Sequence, residues 1–247
     1  MAENLHRASW GIVVTAWALG SASLNAAFAA GQDAPEPNRW EKDIQAFEKR
    51  DAENPTVEGG IVFAGSSSIG MWDLKRWFPG MNALNRGFGG SSFSDLVVFA
   101  HRIVLPHKPA TVVLYSGDND IAGGRSPEQV AADFKKVLGI IHKGLPDARV
   151  LVVAIKPSIA RWGLVGKMRQ ANRLIEAIAK EDAQLTYIDV DTPMLGPDGK
   201  PRAELFLDDG LHLNAEGYRL WTSILMPYLK PAQEDTGDAK PDQAKTN

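Results

Sequence analysis

Residues 59–72 read GGIVFAGSSSIGMW. Two glycines precede a short apolar run, Ile61 to Ala64, which ends on Gly65 and three consecutive serines. A continuous apolar run this short, bounded by glycine, predicts a buried strand. The serines after it form either a surface turn or a tight strand-to-helix bend that offers one hydroxyl for attack. The rest of the chain decides between the two.

Working outward, three more apolar runs punctuate the sequence, ATVVLYSGDND from Ala110, ARVLVVAIKP from Ala148 and LTYIDVD from Leu185, and MNALNRGFGG from Met81 reads as a weaker strand ending in a glycine cluster. Between and around them lie segments with helical spacing of apolar residues. NRWEKDIQAFEKRD places Trp40, Ile44 and Phe47 on one face, and Asn54-Pro55 ends it. SSFSDLVVFAHRIV begins with serines able to cap a helix. SPEQVAADFKKVLGIIHKG has Ser126 at the N-cap, Pro127 at the first helical position and Gly144 at the end. GKMRQANRLIEAIAKED and NAEGYRLWTSILMPYL complete the set. Strands alternate with helices, and the strands are apolar throughout rather than every second residue. That pattern predicts a parallel sheet covered on both faces.

The two ends read differently. In residues 1–29, His6 and Arg7 precede an apolar stretch from Trp10 to Leu19, and Ala27-Phe28-Ala29 offers small residues for cleavage. This is the layout of a secretory signal peptide, and the apolar core is short for a membrane span. A mature chain in a periplasmic or secreted location is expected, with no stable membrane span after cleavage. Residues 231–247, PAQEDTGDAKPDQAKTN, contain no large apolar residue and predict a disordered polar tail. The folded domain is expected over 30–230. The 247 residues carry a formal net charge of −3, so no strong field favours nucleic acid, and none is expected as a partner. There is no cysteine, which excludes disulfides, thiolate catalysis and Cys-ligated zinc.

Ligands of parallel α/β sheets bind beyond the carboxyl ends of the strands. Polar and glycine-rich residues gather there: Gly65-Ser66-Ser67-Ser68, Gly87-Phe88-Gly89-Gly90 and Gly117-Asp118-Asn119-Asp120. Asp208-Asp209-Gly210-Leu211-His212 precedes the last helix. His212 has Asp209 three residues back across a glycine, and such a turn folds the carboxylate onto one imidazole nitrogen, leaving the other to accept a proton. A plain turn capping the next helix is the competing reading. His101 and His142 lie in helical segments, and His107, between Pro106 and Lys108, reads as a solvated loop residue. A serine nucleophile needs such a base, together with donors for the oxyanion. Backbone N–H groups at the serine's own helix start, the Gly90 N–H and the Asn119 amide are candidates.

Together these blocks resemble the SGNH/GDSL hydrolase superfamily of serine esterases and lipases, most of all the branch that includes platelet-activating-factor acetylhydrolase subunits. The family's Gly-Asp-Ser is similar to Gly65-Ser66-Ser67, its glycine block to Gly90, its Gly-x-Asn-Asp to Gly117-Asp118-Asn119-Asp120, and its Asp-x-x-His to Asp209-Gly210-Leu211-His212. The resemblance runs from residue 61 to about 229. It implies a three-layer, flavodoxin-like α/β sandwich with a five-stranded parallel sheet. It implies Ser67 as nucleophile, His212 as base and Asp209 as the residue that orients it. The oxyanion hole would be the Ser67 and Gly90 N–H groups with the Asn119 amide. Two-step acyl transfer through an acyl-enzyme is implied too, with no metal or organic cofactor. Ser66 departs from the family's Asp, which leaves Ser66 and Ser68 as other candidates for the nucleophile.

Two other readings use the same residues. Asp118, Asp120, Asp189, Asp191, Asp208 and Asp209 could hold a divalent metal for phosphoester hydrolysis. A carbohydrate- or lipid-binding module could keep the fold with a dead site. Trp72, Trp77 and Phe88 are expected near the site, as pocket lining or as ordinary packing, and Trp162 as a rim. No long apolar lid segment is present, which points to small or soluble esters, including acetyl groups on carbohydrate.

Overall fold

The computed structural model describes residues 39–56 and 58–229. The expected signal peptide over 1–29 and polar tail over 231–247 lie outside the described residues. In chain order the elements are α1 (Glu41–Glu53), β1 (Ile61–Gly65), α2 (Ser67–Gly70), α3 (Leu74–Trp77), β2 (Ala83–Gly87), α4 (Phe93–Ile103) and β3 (Thr111–Tyr115). They continue with α5 (Asp118–Ala122), α6 (Pro127–Gly144), β4 (Arg149–Val153), α7 (Val165–Lys180), β5 (Leu185–Ile188) and α8 (Ala215–Leu229).

The strands pair in the order β2-β1-β3-β4-β5, every pair parallel. Side chains alternate between the two faces. Val62, Ala64, Val112, Leu114, Val150 and Val152 point into one apolar layer, packed against α1, α4, α6 and α7. Phe63, Val113, Tyr115, Leu151 and Val153 point into the other, packed against α3 and α8. Two cores explain why the central strands β1, β3 and β4 read as unbroken apolar runs: both of their faces are covered, whereas the edge strands β2 and β5 are half-buried. The result is the three-layer α/β fold with a five-stranded parallel sheet.

Helix starts follow the chemistry of their caps. Ser92 and Asp95 form a reciprocal capping box on α4, and Ser126 and Gln129 do so on α6, where Pro127 takes the first turn. The chain turns from β1 to β2 on one side and to β3 on the other, so the sheet's topological switch point lies between β1 and β3. Ser67 follows β1 and Asn119 follows β3.

Two open readings resolve to packing, and one expectation for an individual residue fails. Trp72 is buried in the aromatic cluster of the α8 layer, with Phe63, Phe78, Tyr218 and Trp221 around its ring. Phe88 is buried in the opposite core, edge-on to Trp40 and Phe99. Large rings next to a motif satisfy the hydrophobic effect first. His107 is not a solvated loop residue. Its turn, Leu105–His107, folds inward, Nδ1 lies 2.7 Å from the Thr56 hydroxyl, and Nε2 lies 3.4 Å from Asp51, which pairs with Arg86. Trp77, half-buried, packs against the aromatic core.

Candidate active site

Gly65 ends β1 where no side chain fits: a Cβ there would stand 1.9 Å from the Tyr115 carbonyl oxygen. The chain bends at Ser66, which is extended, and enters α2 at Ser67. The bend sorts the three serines. Ser66 and Ser68 are buried, whereas Ser67 is half-exposed. Ser67 Oγ lies 3.0 Å from His212 Nε2, and neither of the two buried hydroxyls is bonded to that ring.

His212 reaches this position through a local turn. The Asp209 carboxylate accepts from the backbone N–H groups of Leu211 and His212 at 2.8 and 2.9 Å, and from the ring at Nδ1 at 2.6 Å. Those bonds, led by the ring, pull the Asp209 carboxyl down to about 2. It is an acceptor only, so Nδ1 carries the ring proton and the Nε2 lone pair faces the Ser67 hydroxyl. The far end of the turn is pinned by Asn214. Its Oδ1 accepts from Glu216 and Gly217 N–H, capping α8, and its Nδ2 donates to the Glu204 and Phe206 carbonyls.

The candidate oxyanion donors converge from two further strand ends. Ser67 supplies the first N–H of α2, which has no acceptor inside the helix. The loop after β2 is tied to β1 by the Phe88 N–H and the Ser91 hydroxyl, both donating to the Gly65 carbonyl at 2.9 and 3.2 Å. Gly90 in this loop has φ +76°, a conformation glycine adopts without strain. Asn119 Nδ2 donates one hydrogen to the Ser91 carbonyl at 2.9 Å and keeps a second. The expected residues Ser67, His212, Asp209, Gly90 and Asn119 thus gather at the switch point.

The sequence reading missed what stands behind Asn119. Arg161 donates to Asn119 Oδ1 at 3.0 Å and to Asp118 Oδ2 at 3.0 Å, which fixes which end of the amide points away from Ser91. Lys156, fully buried, donates to the same Asp118 oxygen at 3.2 Å and to the Tyr115 hydroxyl at 3.1 Å. Burial pushes the Asp118 carboxyl up, but Lys156 and Arg161 outweigh it and hold it below its ordinary value. A lysine closing the apolar run VLVVAIK at a strand's carboxyl end was the available signal. Nothing in the sequence pointed to Trp40, whose ring stands 3.3 Å from where a Gly90 Cβ would be, with Arg39 beside it.

The acids considered for a metal are dispersed. Asp118 serves Lys156 and Arg161, Asp191 serves Arg169, and Asp120 accepts from Phe93 N–H. Among the described residues no three His, Asp or Glu side chains converge as a ligand set. Trp162 opens a short turn after β4 and carries Arg169 over its ring.

A strand-to-helix serine, an imidazole on it and clustered N–H donors at the switch of a parallel sheet define the serine-hydrolase class of α/β proteins. The match of residues 67–220 to the GDSL-like lipase/acylhydrolase model places this chain in that family. Platelet-activating factor acetylhydrolase IB subunit alpha1 from Bos taurus is 28% identical over 222 residues, covering 85% of this chain and 93% of its own. The Homo sapiens protein of that name is 28% identical over 221 residues, covering 85% and 91%. A GDSL-like lipase from Bacteroides thetaiotaomicron superposes with a TM-score of 0.67 at 19% identity, covering 76% of this chain and 97% of its own. A carbohydrate esterase family 3 structure from Talaromyces cellulolyticus gives 0.56 at 18%, covering 70% and 96%. The chain is a carboxylic ester hydrolase by family. Among the described residues no helix is long and apolar enough to cross a membrane.

Proposed function

We propose that this protein is an exported serine esterase that hydrolyses short-chain, above all acetyl, esters through Ser67, His212 and Asp209. One observation carries the reading: a half-exposed hydroxyl 3.0 Å from an imidazole whose other nitrogen is held at 2.6 Å by a carboxylate. Ser67 Oγ attacks the ester carbonyl carbon as its proton passes to His212 Nε2. Negative charge forms on the carbonyl oxygen, where the Ser67 and Gly90 N–H groups and the Asn119 amide receive it. The carbon–oxygen bond to the alcohol then breaks, and Nε2 returns the proton to the departing oxygen. Water attacks the acyl-enzyme with the same imidazole as base, and the acid leaves as Ser67 regains its proton. Asp209 stays ionised throughout and steadies the imidazolium.

The similarity to platelet-activating factor acetylhydrolase IB subunit alpha1 favours a small acyl group, acetyl above all. The pattern of residues 1–29 favours export to a periplasmic or secreted location. Cell fractionation with mass measurement of the mature N-terminus tests that half. For the chemistry, the protein is incubated with p-nitrophenyl acetate and a fluorophosphonate. The expected result is turnover, label on Ser67, and a kcat lowered at least about 10³-fold in Ser67→Ala. Label on Ser66 or Ser68 overturns the residue assignment. Absence of turnover and label favours a binding module.

A further inference from the structure

Only four large hydrophobic side chains stand exposed among the described residues: Met71 at 47%, Ile159 at 45%, Leu207 at 43% and Tyr228 at 42%. Three of the four adjoin the Ser67–His212 pair. Met71 N–H donates to the Ser67 carbonyl at 2.8 Å, one helical turn along, so the two side chains share a face. Leu207 N–H donates to the His212 carbonyl at 2.8 Å. The next cross-chain pair, Phe206 with Leu213, points inward, with 5% and 1% exposed. Alternation therefore sends Leu207 and His212 outward, side by side. Ile159 lies on the same turn: Ala160 N–H donates to the Gly210 carbonyl at 3.0 Å, and a Gly210 Cβ would stand 3.1 Å from Ile159 Cβ. Tyr228 is elsewhere, at the end of α8, where its carbonyl accepts from Arg149 at the start of β4.

Acyl transfer tells which part of a substrate this rim meets. The departing alcohol oxygen takes its proton from His212 Nε2, so it passes within hydrogen-bond range of that nitrogen. The oxyanion donors, Gly90 and Asn119, come from other loops. Whatever is attached to the alcohol oxygen therefore projects on the side of His212, over Ile159, Leu207 and Met71. A sugar in that place would leave its hydroxyls against hydrocarbon without partners, which is costly. An alkyl or aryl group would cover exposed hydrocarbon and gain from it.

We propose that Met71, Ile159 and Leu207 form the alcohol-side binding surface, so that the preferred substrates are short-acyl esters of apolar alcohols rather than of sugars. This rests on the esterase reading above and narrows it.

Alkyl acetates test it, because their alcohols share nearly the same acidity and differ in hydrocarbon. Hydrolysis of ethyl, butyl and hexyl acetate is followed by pH-stat below the solubility limit of each, beside 2-(2-methoxyethoxy)ethyl acetate and an acetylated xylose. Full burial of a methylene is worth about fourfold, and a one-sided rim about half that free energy, or about twofold for each of four added methylenes, so kcat/KM rises about 15-fold from ethyl to hexyl acetate. The hexyl-to-ethyl ratio falls to about 2 in the Ile159→Ser/Leu207→Ser double variant and keeps its value in Tyr228→Ser. A wild-type enzyme that turns over ethyl acetate but favours the polar ether or sugar ester overturns the proposal and leaves the esterase reading standing. An unchanged ratio in the double variant also overturns it. Failure to hydrolyse any ester sinks the esterase reading, and this proposal with it.

Discussion

Asp118 and Asp209 stand on opposite flanks of the same serine and are housed in opposite ways. The Asp118 side chain is 6% exposed and shared between Lys156 and Arg161, whereas that of Asp209 is 46% exposed and held by one imidazole and two backbone N–H groups. The Asn119 flank is assembled from β3, β4 and the chain beyond β4, with a buried carboxylate at its centre. The His212 flank is a local turn whose carboxylate finds its partners within three residues. The contrast suggests a division of labour. Donors that face a developing charge gain from being fixed in a water-poor setting. A base that must take and return a proton twice per cycle is served by a turn open to solvent.

The sharpest way to break this comparison is on the buried flank. Asn119→Ala is expected to lower kcat about 10²–10³-fold with little change in KM, read from steady-state kinetics on p-nitrophenyl acetate. A loss confined to KM would mean that Asn119 binds substrate rather than the transition state. Next, Lys156→Met removes one of the two cations on Asp118 and is expected to lower unfolding free energy by about 3 kcal/mol in urea melts. If the variant unfolds at the wild-type midpoint, the buried network is not what stiffens this side.

On the open flank the effect is smaller. Asp209→Asn is expected to cost about 10–100-fold in kcat, because water can take over part of the carboxylate's contact with the ring. A loss matching that of Ser67→Ala would erase the distinction drawn between the flanks. Since His212 holds the Asp209 carboxyl at about 2, lowering the pH from 7 to 4 leaves it ionised, and any loss of rate over that window does not arise from its protonation. The smallest effect belongs to Asp120, which burial pushes up to about 7 against the pull of the Phe93 N–H. Its folded form keeps a proton that the unfolded chain releases near pH 4, so the associated stability is present at low pH and lost as pH rises through 7. From pH 6 to 8 the wild type is expected to lose about 1 kcal/mol that Asp120→Asn retains, measured by paired urea melts.

The same contrast governs what could be read from the sequence. The Asp209–His212 turn was legible because its partners are three residues apart. The strand ends near Gly65 and Gly117 were legible because unbroken apolar runs stop there, and that of β2, which carries Asn85 and Arg86, from the glycine cluster that begins at Gly87. Lys156 and Arg161 were passed over, since their bonds to Asp118 and Asn119 span about 40 positions and leave no periodic trace. Trp40 beside Gly90 is farther still from anything a local pattern reports. Nearness in sequence left Trp72 and Phe88 open between pocket lining and packing, because the direction a ring takes is decided by the cores. The helices α2, α3 and α5 span four or five residues each, about one turn, too little for a helical period to register.

Gly87 ends β2 where an added Cβ would stand 2.1 Å from the Gly70 amide nitrogen, just as Gly65 admits nothing beside Tyr115. At these two points main chain rests on main chain, and the altitude of the Ser67 hydroxyl above the sheet is set by bare backbone. Swapping core side chains in either layer can therefore loosen the protein without lifting that oxygen, whereas a single methyl at 65 or 87 would shim Ser67 out of line with His212 while the hydrophobic interior stayed intact.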